Sequence, residues 1–493
     1  MTPSPDRRPF PLALVAVGLL CLVAAVIVWW FLPSEPRAVL PADSQILRLS
    51  PDGRVLLTRE GGTGTLRDIA TGKPIAELPV DINGWSHHEF WFSPDGRWLS
   101  GAGGGVLKVW EVPSGRERLA IPVGGPGRSH PKATFSTEGR WFAYAATSPD
   151  STNRMTVWDL EEAREHFAVL ADRCDYPTFA PDGRTLVFQT WEARPMLPPA
   201  GVIRLWDVET GQERPPLETE PGPLRMLAFS PDGRWLAAAQ RTRYKWDGPH
   251  EVVAWELATG RRRGPWLVPS GARDVQFSAD GALLLVATAE VRTGSPIAIV
   301  TVPALAAIAP AVTPAGEVRL IRSISSVSPD GRLLAKIPDG VEDPGDILEV
   351  AGQMERATIE PRRRDEFRAV RGFSPDGRWY ALVAVPLPSE PGPDRPREAE
   401  EGELRVYDTA TGRRRANVPM MTISEVWFTP DGGAMVLVAP GKAPAIWDMP
   451  PGKPWRRIGL WWAALAAGFL VLGAGPWWLT RRRTTAAATS PRP

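Results

Sequence analysis

The chain has 493 residues and a net charge of +1, from 57 Lys and Arg against 56 Asp and Glu. This balance excludes a strongly basic nucleic-acid binder and an acidic disordered protein. Hydrophobic residues make up 43% of the chain, and 22 Trp, 46 Gly and 53 Pro favour β structure with many turns. The two cysteines, Cys21 and Cys174, are too few for a disulfide scaffold or a thiolate metal site.

An uncharged, apolar segment lies near the start of the chain, at 11–32. Its length suits a helix that crosses a bilayer, and Arg7 and Arg8 precede it in a short tail, 1–10. A cleaved signal peptide is the competing interpretation, but the apolar stretch exceeds the usual hydrophobic region of such a peptide. The sequence therefore predicts a first transmembrane helix at 11–32.

One motif recurs nine times in the middle of the chain: an apolar residue, a small residue, a P-D-G-R-like turn and an apolar run. Pro presets the first turn dihedral, Asp hydrogen-bonds the nearby backbone, and Gly accepts a positive φ, so each copy predicts a hairpin. The turn acids recur every 43–55 residues, a period typical of propeller blades. These turn acids are Asp52, Asp95, Glu138, Asp182, Asp232, Asp280, Asp330, Asp376 and Asp431.

A second signal follows most of these turns: an apolar residue, an aromatic residue and an acid, and then a T-G-type turn. Each unit therefore predicts four strands, a to d, with the P-D-G turn between a and b and the T-G turn between c and d. The blade tryptophans that end strand c are expected to fill the gaps between blades. They are Trp110, Trp158, Trp206, Trp255 and Trp447.

These repeats resemble the WD-repeat β-propeller family, and their turns are also similar to those of TolB-like propellers. The resemblance implies an all-β fold: a β-propeller of about nine four-stranded repeats, in eight or nine blades, over 33–457. The chain departs from the WD-repeat pattern because it lacks the Gly-His pair whose His bonds the blade Asp. Blade stability is therefore expected to depend on the turns and on aromatic packing.

The ninth repeat has little room for a strand d before the chain continues into its next apolar segment. Closed propellers protect their edges, and one way is to take the last outer strand from the other end of the chain. Residues 35–41 share the apolar spacing of the strand-d segment 116–122. We therefore expect Arg37 to Leu40 to complete the ninth blade, so that both chain ends leave the ring on the face of the P-D-G and T-G turns.

Three long insertions lie between strands b and c, at 190–201, 240–250 and 386–403. Their position places all three on the face opposite the P-D-G turns. Loop variation on one rim of a regular scaffold is typical of partner binding. We expect protein partners to dock here, and tolerated surface insertions are the alternative interpretation.

A second uncharged, apolar segment lies at 458–479, with Trp pairs near both ends and three arginines after it. It predicts a second transmembrane helix, followed by a disordered basic tail at 480–493. Two helices put both termini on one side of the membrane. The arginines of the tails favour a bacterial inner membrane with the propeller on the extracytoplasmic side.

No motif in the chain indicates a catalytic, cofactor or metal site. His87 and His88 are adjacent, so on a strand they would face opposite ways, and the turn acids lack the spacing of a calcium loop. Arginine runs at 261–263, 362–364 and 413–415 have two interpretations, a solvated rim or a contact with anionic lipid. The leading hypothesis is a membrane-anchored, non-enzymatic interaction scaffold with no cofactor and no nucleic-acid partner. The alternative is a ligand-sensing or envelope-transport accessory propeller.

Overall fold

A computed structural model describes most of the chain between residues 35 and 450. The ranges within these limits that it leaves undescribed are 83–89, 124–131, 148–152, 171–173, 195–196, 218, 220–223, 242–249, 269–271, 279–280, 282, 289–296, 302–317, 322–323, 329–330, 337–344, 350–353, 360–365, 387–401, 421–424 and 440–441. Residues Arg37–Pro450 form one compact unit.

The predicted transmembrane helices at 11–32 and 458–479, like the tails 1–10 and 480–493, lie outside the described residues. Within the part that is described, no helix has the length and apolarity needed to cross a bilayer.

The described residues form nine four-stranded antiparallel sheets, which we call blades. Blades 1 to 3 comprise β2 (Gln45–Leu49), β3 (Val55–Glu60), β4 (Thr63–Asp68), β5 (Pro74–Asp81); β6 (Phe90–Phe92), β7 (Trp98–Gly103), β8 (Val106–Glu111), β9 (Glu117–Pro122); and β10 (Lys132–Phe135), β11 (Trp141–Thr147), β12 (Asn153–Asp159), β13 (Arg164–Leu170). Blades 4 to 6 comprise β14 (Cys174–Phe179), β15 (Thr185–Arg194), β16 (Leu197–Asp207), β17 (Gln212–Leu217); β18 (Leu224–Phe229), β19 (Trp235–Arg241), β20 (His250–Glu256), β21 (Arg262–Val268); and β22 (Ala272–Phe277), β23 (Leu283–Thr288), β24 (Ile297–Thr301), β25 (Val318–Ile321). Blades 7 to 9 comprise β26 (Ile324–Val327), β27 (Leu333–Lys336), β28 (Gly345–Glu349), β29 (Met354–Ile359); β30 (Glu366–Phe373), β31 (Trp379–Pro386), β32 (Gly402–Asp408), β33 (Arg414–Met420); and β34 (Glu425–Phe428), β35 (Ala434–Val438), β36 (Ala445–Asp448), with β1 (Ala38–Val39).

The inner strands are apolar on both faces because each blade is covered on both sides. In β11, Phe142 and Tyr144 pack against blade 2, whereas Trp141 and Ala143 pack against blade 4. Successive side chains of a strand point to opposite faces, so a continuous apolar run is what a strand between two neighbours requires. The uninterrupted run WFAYAA therefore fits a blade in the interior of a stack.

Each blade contacts the next, and the series closes on itself. Apolar clusters join every successive pair of blades except 6 and 7, and one of them joins blade 9 to blade 1 through Leu40, Ile46 and Ile446. Blades 6 and 7 touch at their turns, where a β-carbon on Gly331 would lie 2.8 Å from the Cα of Ser278. The nine described sheets therefore form a closed ring, the arrangement of a β-propeller.

The two ends of the ring meet in blade 9. Strand β1 pairs antiparallel with β36, with Ala38 opposite Ile446, and the Leu40 N–H donates to the Pro444 carbonyl at 2.9 Å. The Arg37 Nε donates to Asp448 Oδ1 at 2.7 Å. Strand β1 lies within the segment 35–41 that sequence analysis selected for this role, and Arg37 and Asp448 both lie at the P-D-G end of their strands.

One of the three insertions differs from its expected form. Sequence analysis treats 190–201 as a loop, but β15 and β16 continue through it, with Glu192 opposite Ala200 and Arg194 opposite Leu197. Of the insertion 240–250, residues 242–249 lie outside the described residues, and so do residues 387–401 of the insertion 386–403.

Candidate functional site

Most of the P-D-G turns are held by a buried hydroxyl that precedes the turn. In blade 1, Ser50 Oγ donates to Asp52 Oδ1 at 2.6 Å and accepts the Val55 N–H at 2.9 Å. Asp52 Oδ1 also accepts the Arg54 N–H at 3.1 Å. The serine thus satisfies the first N–H of strand b and orients the turn carboxylate, which a buried backbone donor requires.

This arrangement repeats around the ring. In seven blades a Ser or Thr hydroxyl, at most 3% exposed, accepts the N–H five residues later at 2.8–3.0 Å. The hydroxyls belong to Ser50, Ser93, Ser136, Ser230, Ser328, Ser374 and Thr429. Blade 4 carries Ala180 instead, and there Asp182 Oδ1 itself accepts the Thr185 N–H at 3.0 Å.

Successive P-D-G turns touch one another. A β-carbon on Gly53, whose φ is +71°, would lie 2.7 Å from Pro430 Cδ in blade 9, so glycine is required both for the turn and for the close approach. A β-carbon on Gly139 of blade 3 would likewise collide with the Asp95 carboxylate of blade 2. The turn acids therefore follow one another around one face of the ring.

The blade tryptophans occupy the gaps between blades. Trp110 packs with residues of blade 1, Trp158 with blade 2, Trp206 with blade 3, Trp255 with blade 4 and Trp447 with blade 8. Within the described part of the chain, the indole N–H groups of Trp158, Trp206 and Trp447 have no hydrogen-bond partner. Apolar packing is therefore what these three side chains contribute.

Blade 1 carries an arginine at the blade-tryptophan position. Arg67 is 5% exposed and donates to both oxygens of Glu60, at 2.8 and 2.6 Å, and to the Gly72 carbonyl at 2.9 Å. Burial acts to raise the pKa of Glu60, but hydrogen bonds from Arg67, Ser44 and Thr58 outweigh it and hold that pKa below its ordinary value. The buried guanidinium is thus neutralised beside the ring closure, as an ion with little access to water requires.

Side chains from the outer strands cross several gaps on the P-D-G face. In blades 2 and 3, strand d has a β-bulge next to the T-G turn, and its extra residue reaches the following blade. Arg118 donates to the Leu160 carbonyl at 2.9 Å, and His166 lies 2.8 Å from the Val208 carbonyl. Arg356 occupies the same bulge position in blade 7 and lines a cavity of about 230 Å³ beside Thr409.

At the ring closure this pattern changes and a wider groove opens. The bulge residue of blade 1 is Ile75, which is 44% exposed. In blade 9 the residue after the P-D-G turn is Gly433, where Arg54 and Arg97 stand in blades 1 and 2. We call the resulting cavity of about 800 Å³, between the P-D-G and T-G turns of blades 9, 1 and 2, the closure groove.

Charged and apolar groups share the closure groove. Asp52, Asp68, Asp95 and Asp431 line it together with Arg37, Arg54 and Arg97. All three arginines lie in ion pairs: Arg37 with Asp448, Arg97 with Asp95, and the largely exposed Arg54 with Asp52 at 4.0 Å. The Thr429 hydroxyl and the Gly433 N–H hold the pKa of Asp431 below its ordinary value, so this carboxylate is charged at neutral pH.

On the opposite face, β15 and β16 extend beyond their neighbours. The last pair that β15 makes with β14 involves Thr190, and the last pair that β16 makes with β17 involves Ile203. The pairs from Trp191–Gly201 to Arg194–Leu197 therefore form a two-stranded ribbon, and no strand of the described residues pairs with either of its edges. We call the described residues of this hairpin, 191–194 and 197–201, the ribbon.

The structure places the predicted site residues as follows. Seven turn acids lie on the P-D-G face, whereas Asp280 and Asp330 fall outside the described residues. Sequence analysis missed the buried serines, although the recurrent S-P-D-G-R-W pattern carried the signal. It also missed Ile75, because the bulge register is not visible in the sequence.

No group of three or more His, Cys, Asp or Glu residues in the described segments is arranged to hold a metal ion.

Comparisons with known proteins agree with this architecture. Residues 72–111 match the family model "WD domain, G-beta repeat". These residues run from the T-G turn of blade 1 to the end of strand c in blade 2, so the matched length is about one blade. None of the curated proteins compared with the chain matches it significantly.

Solved structures resemble the chain at low sequence identity. A eukaryotic initiation factor is 15% identical, with a TM-score of 0.52, over 80% of this chain and 91% of that chain. Hydrazine synthase of Kuenenia stuttgartiensis is 15% identical, with a TM-score of 0.37, over 86% and 97% of the two chains. The computationally designed Ika8 protein is 16% identical, with a TM-score of 0.42, over 84% and 99%. The first likeness supports the fold alone, and the other two TM-scores are too low to support an argument.

The turn hydroxyl can be tested by Ser230→Ala. This change removes the hydroxyl that accepts the buried backbone N–H of Trp235 and donates to Asp232. We therefore expect a loss of about 1–3 kcal/mol in the free energy of unfolding. Thermal unfolding of the full chain, followed by tryptophan fluorescence, measures it. The matched control is Ser114→Ala in the exposed T-G turn of blade 2, which should change the midpoint little. Equal midpoints for the two variants would contradict the role assigned to the buried serine.

Proposed function

We propose that the chain is a non-enzymatic interaction scaffold whose nine-bladed ring presents protein-binding elements on the face of the b–c connections. The observation that carries this proposal is the ribbon, which projects past both neighbouring strands of blade 4. The match of residues 72–111 to the WD-domain model is in keeping with such a role.

The two faces of the ring differ in a way that supports this division of roles. On the P-D-G face the turns are short, repeat one hydrogen-bond pattern and contact one another, so they are constrained by the ring itself. On the opposite face, the b–c connection of blade 4 has room to extend without disturbing its neighbours. A two-stranded ribbon with free edges presents backbone N–H and C=O groups, which an extended segment of a partner can pair with.

We further propose that the ring is anchored to a membrane by apolar segments 11–32 and 458–479. Both segments are uncharged and of sufficient length, and Arg37 and Asp448, where the described chain enters and leaves the ring, pair on one face. An excess of arginine in the tails favours an extracytoplasmic ring at a bacterial inner membrane.

The ribbon provides the test of the scaffold. Replacing 191–201 with Asn-Gly closes the hairpin directly after the Thr190–Val202 pair, with a turn type that two-residue hairpins prefer. We expect the ring to fold unchanged and the yield of crosslinked partner to fall about tenfold, the scale expected from losing an interface anchor. Crosslinking of the full chain in native membranes, followed by mass spectrometry, measures the yield.

Two further variants separate the contributions to this result. Deletion of 388–401, in another b–c insertion, should also reduce capture, whereas Ser114→Ala on the P-D-G face should leave capture by the ribbon unchanged. Undiminished capture by the chain that lacks the ribbon would refute the docking role of this element.

Sidedness provides the test of membrane anchoring. Protease is added to intact spheroplasts and to inverted vesicles that contain the full chain with a tag at each terminus. We expect cleavage of the ring in spheroplasts and protection in inverted vesicles, because the arginine-bearing tails are predicted to be cytoplasmic. Protection in spheroplasts with cleavage in inverted vesicles would reverse the proposed orientation. Recovery of the chain in the soluble fraction would refute the anchoring itself.

A further inference from the structure

The closure groove differs at two positions from repeats that carry a basic side chain there. The bulge position of strand d carries Arg118, His166, Arg356 and Arg415 in blades 2, 3, 7 and 8, but Ile75 in blade 1. The position after the P-D-G turn carries arginine in seven repeats, alanine in blade 6 and Gly433 in blade 9. The groove is therefore open at the two positions, Ile75 and Gly433, where most of the compared repeats carry arginine.

The same differences leave carboxylates with capacity for a cationic donor. Asp52 uses Oδ1 to bind the Ser50 hydroxyl and the Arg54 N–H, while the Nε of the largely exposed Arg54 is 4.0 Å from its Oδ2. Asp431 uses Oδ1 to bind the Thr429 hydroxyl and the Gly433 N–H. Asp68 uses Oδ1 to bind the Ala70 N–H. A carboxylate accepts about four hydrogen bonds, so each can still bind an ammonium or guanidinium group.

An apolar surface lies in the same groove. The 44% exposed Ile75 lines it together with Val112 and Pro113 of blade 2. Since Ile75 stands where Arg118 and Arg356 stand in other blades, an apolar side chain is not needed at this position for the blade to fold. A ligand that covers Ile75 would remove an exposed apolar surface from water.

We propose that the closure groove docks an extended peptide segment of a protein partner, with an apolar side chain on Ile75 and a Lys or Arg side chain beside Asp431 and Asp52. The argument for this occupant is charge complementarity, since the cation of the partner takes the place of the turn arginine that Gly433 lacks. This docking rests on the proposed scaffold function and adds a second partner site to it, on the face opposite the ribbon.

Substitutions toward the common repeat residues provide the test. Ile75→Arg restores the cation of the bulge, and Gly433→Arg restores the P-D-G-R turn. The backbone of Gly433 has no positive φ, and a β-carbon there would lie 3.0 Å from Asp431 Oδ2. A small shift of that carboxylate side chain accommodates the β-carbon and lets an arginine pair with it as Arg97 pairs with Asp95. Both variants are therefore expected to fold, and their thermal midpoints check this directly.

The probes are short fluorescein-labelled Ser/Gly peptides that carry one Leu and one Arg at varied separations, with a matched set in which Glu replaces Arg. Fluorescence anisotropy with the full chain should detect binding of Leu/Arg peptides and not of Leu/Glu peptides. Each variant should weaken binding about tenfold, and the double variant should abolish it. Leu170→Arg, which adds the same charge at an exposed apolar residue outside the groove, is the control and should bind as the native chain does.

Two results would overturn the proposal. The first is that the Arg and Glu peptide sets bind equally well, or that neither set binds. The second is that the Ile75→Arg and Gly433→Arg variants bind the Arg peptides as tightly as the native chain does. Failure of this proposal is distinguishable from failure of the scaffold function, because the ribbon variant tests the other face and does not involve the groove.

Discussion

The ring depends on a short contact between residues that are far apart in sequence. Strand β1 contributes two residues to a sheet whose other three strands lie at the end of the described chain, and Leu40 enters the apolar cluster between blades 9 and 1. Without it, blade 9 would expose the edge of β36, and the cluster that joins the last blade to the first would lose a side chain that is 3% exposed. Each of the other blades is completed by adjacent chain, so this is the point where closure depends on long-range pairing.

Closure also explains why the functional features are distributed as they are. The P-D-G turns touch one another around one face, so their Ser, Asp and Gly residues are constrained by the backbone and by the next blade. On this face the closure groove departs from the common repeat in two residues, Ile75 and Gly433. The b–c face has no such constraint at blade 4, and there the chain extends its hairpin into the ribbon. The closure groove and the ribbon are thus two departures from the common repeat, and they lie on opposite faces of the ring.

Much of this architecture could be read from the sequence because the turn motif repeats in phase with the blades. The acids from Asp52 to Asp431 set the number of units, and the shortage of chain after Asp448 pointed to a strand from the other end. The ribbon could not be predicted, since prolines such as Pro198 and Pro199 are typical of loops. Proline lacks the backbone N–H and its ring fixes φ at about −65°, so it is tolerated in a strand at an unpaired edge, and no described strand pairs with the outer edges of the ribbon. The role of Ser50 was hidden because its partner, the Val55 N–H, is fixed by turn geometry and not by residue type.

Native-state hydrogen exchange of the full chain, resolved by mass spectrometry for the segment 35–41, tests ring closure most directly. If β1 completes blade 9, the amides of Arg37 and Leu40, which donate to the Ile446 and Pro444 carbonyls, should exchange slowly, with protection comparable to that of β36. Exchange of this segment at the rate of an unstructured chain, while β35 and β36 stay protected, would contradict closure by the amino-terminal strand.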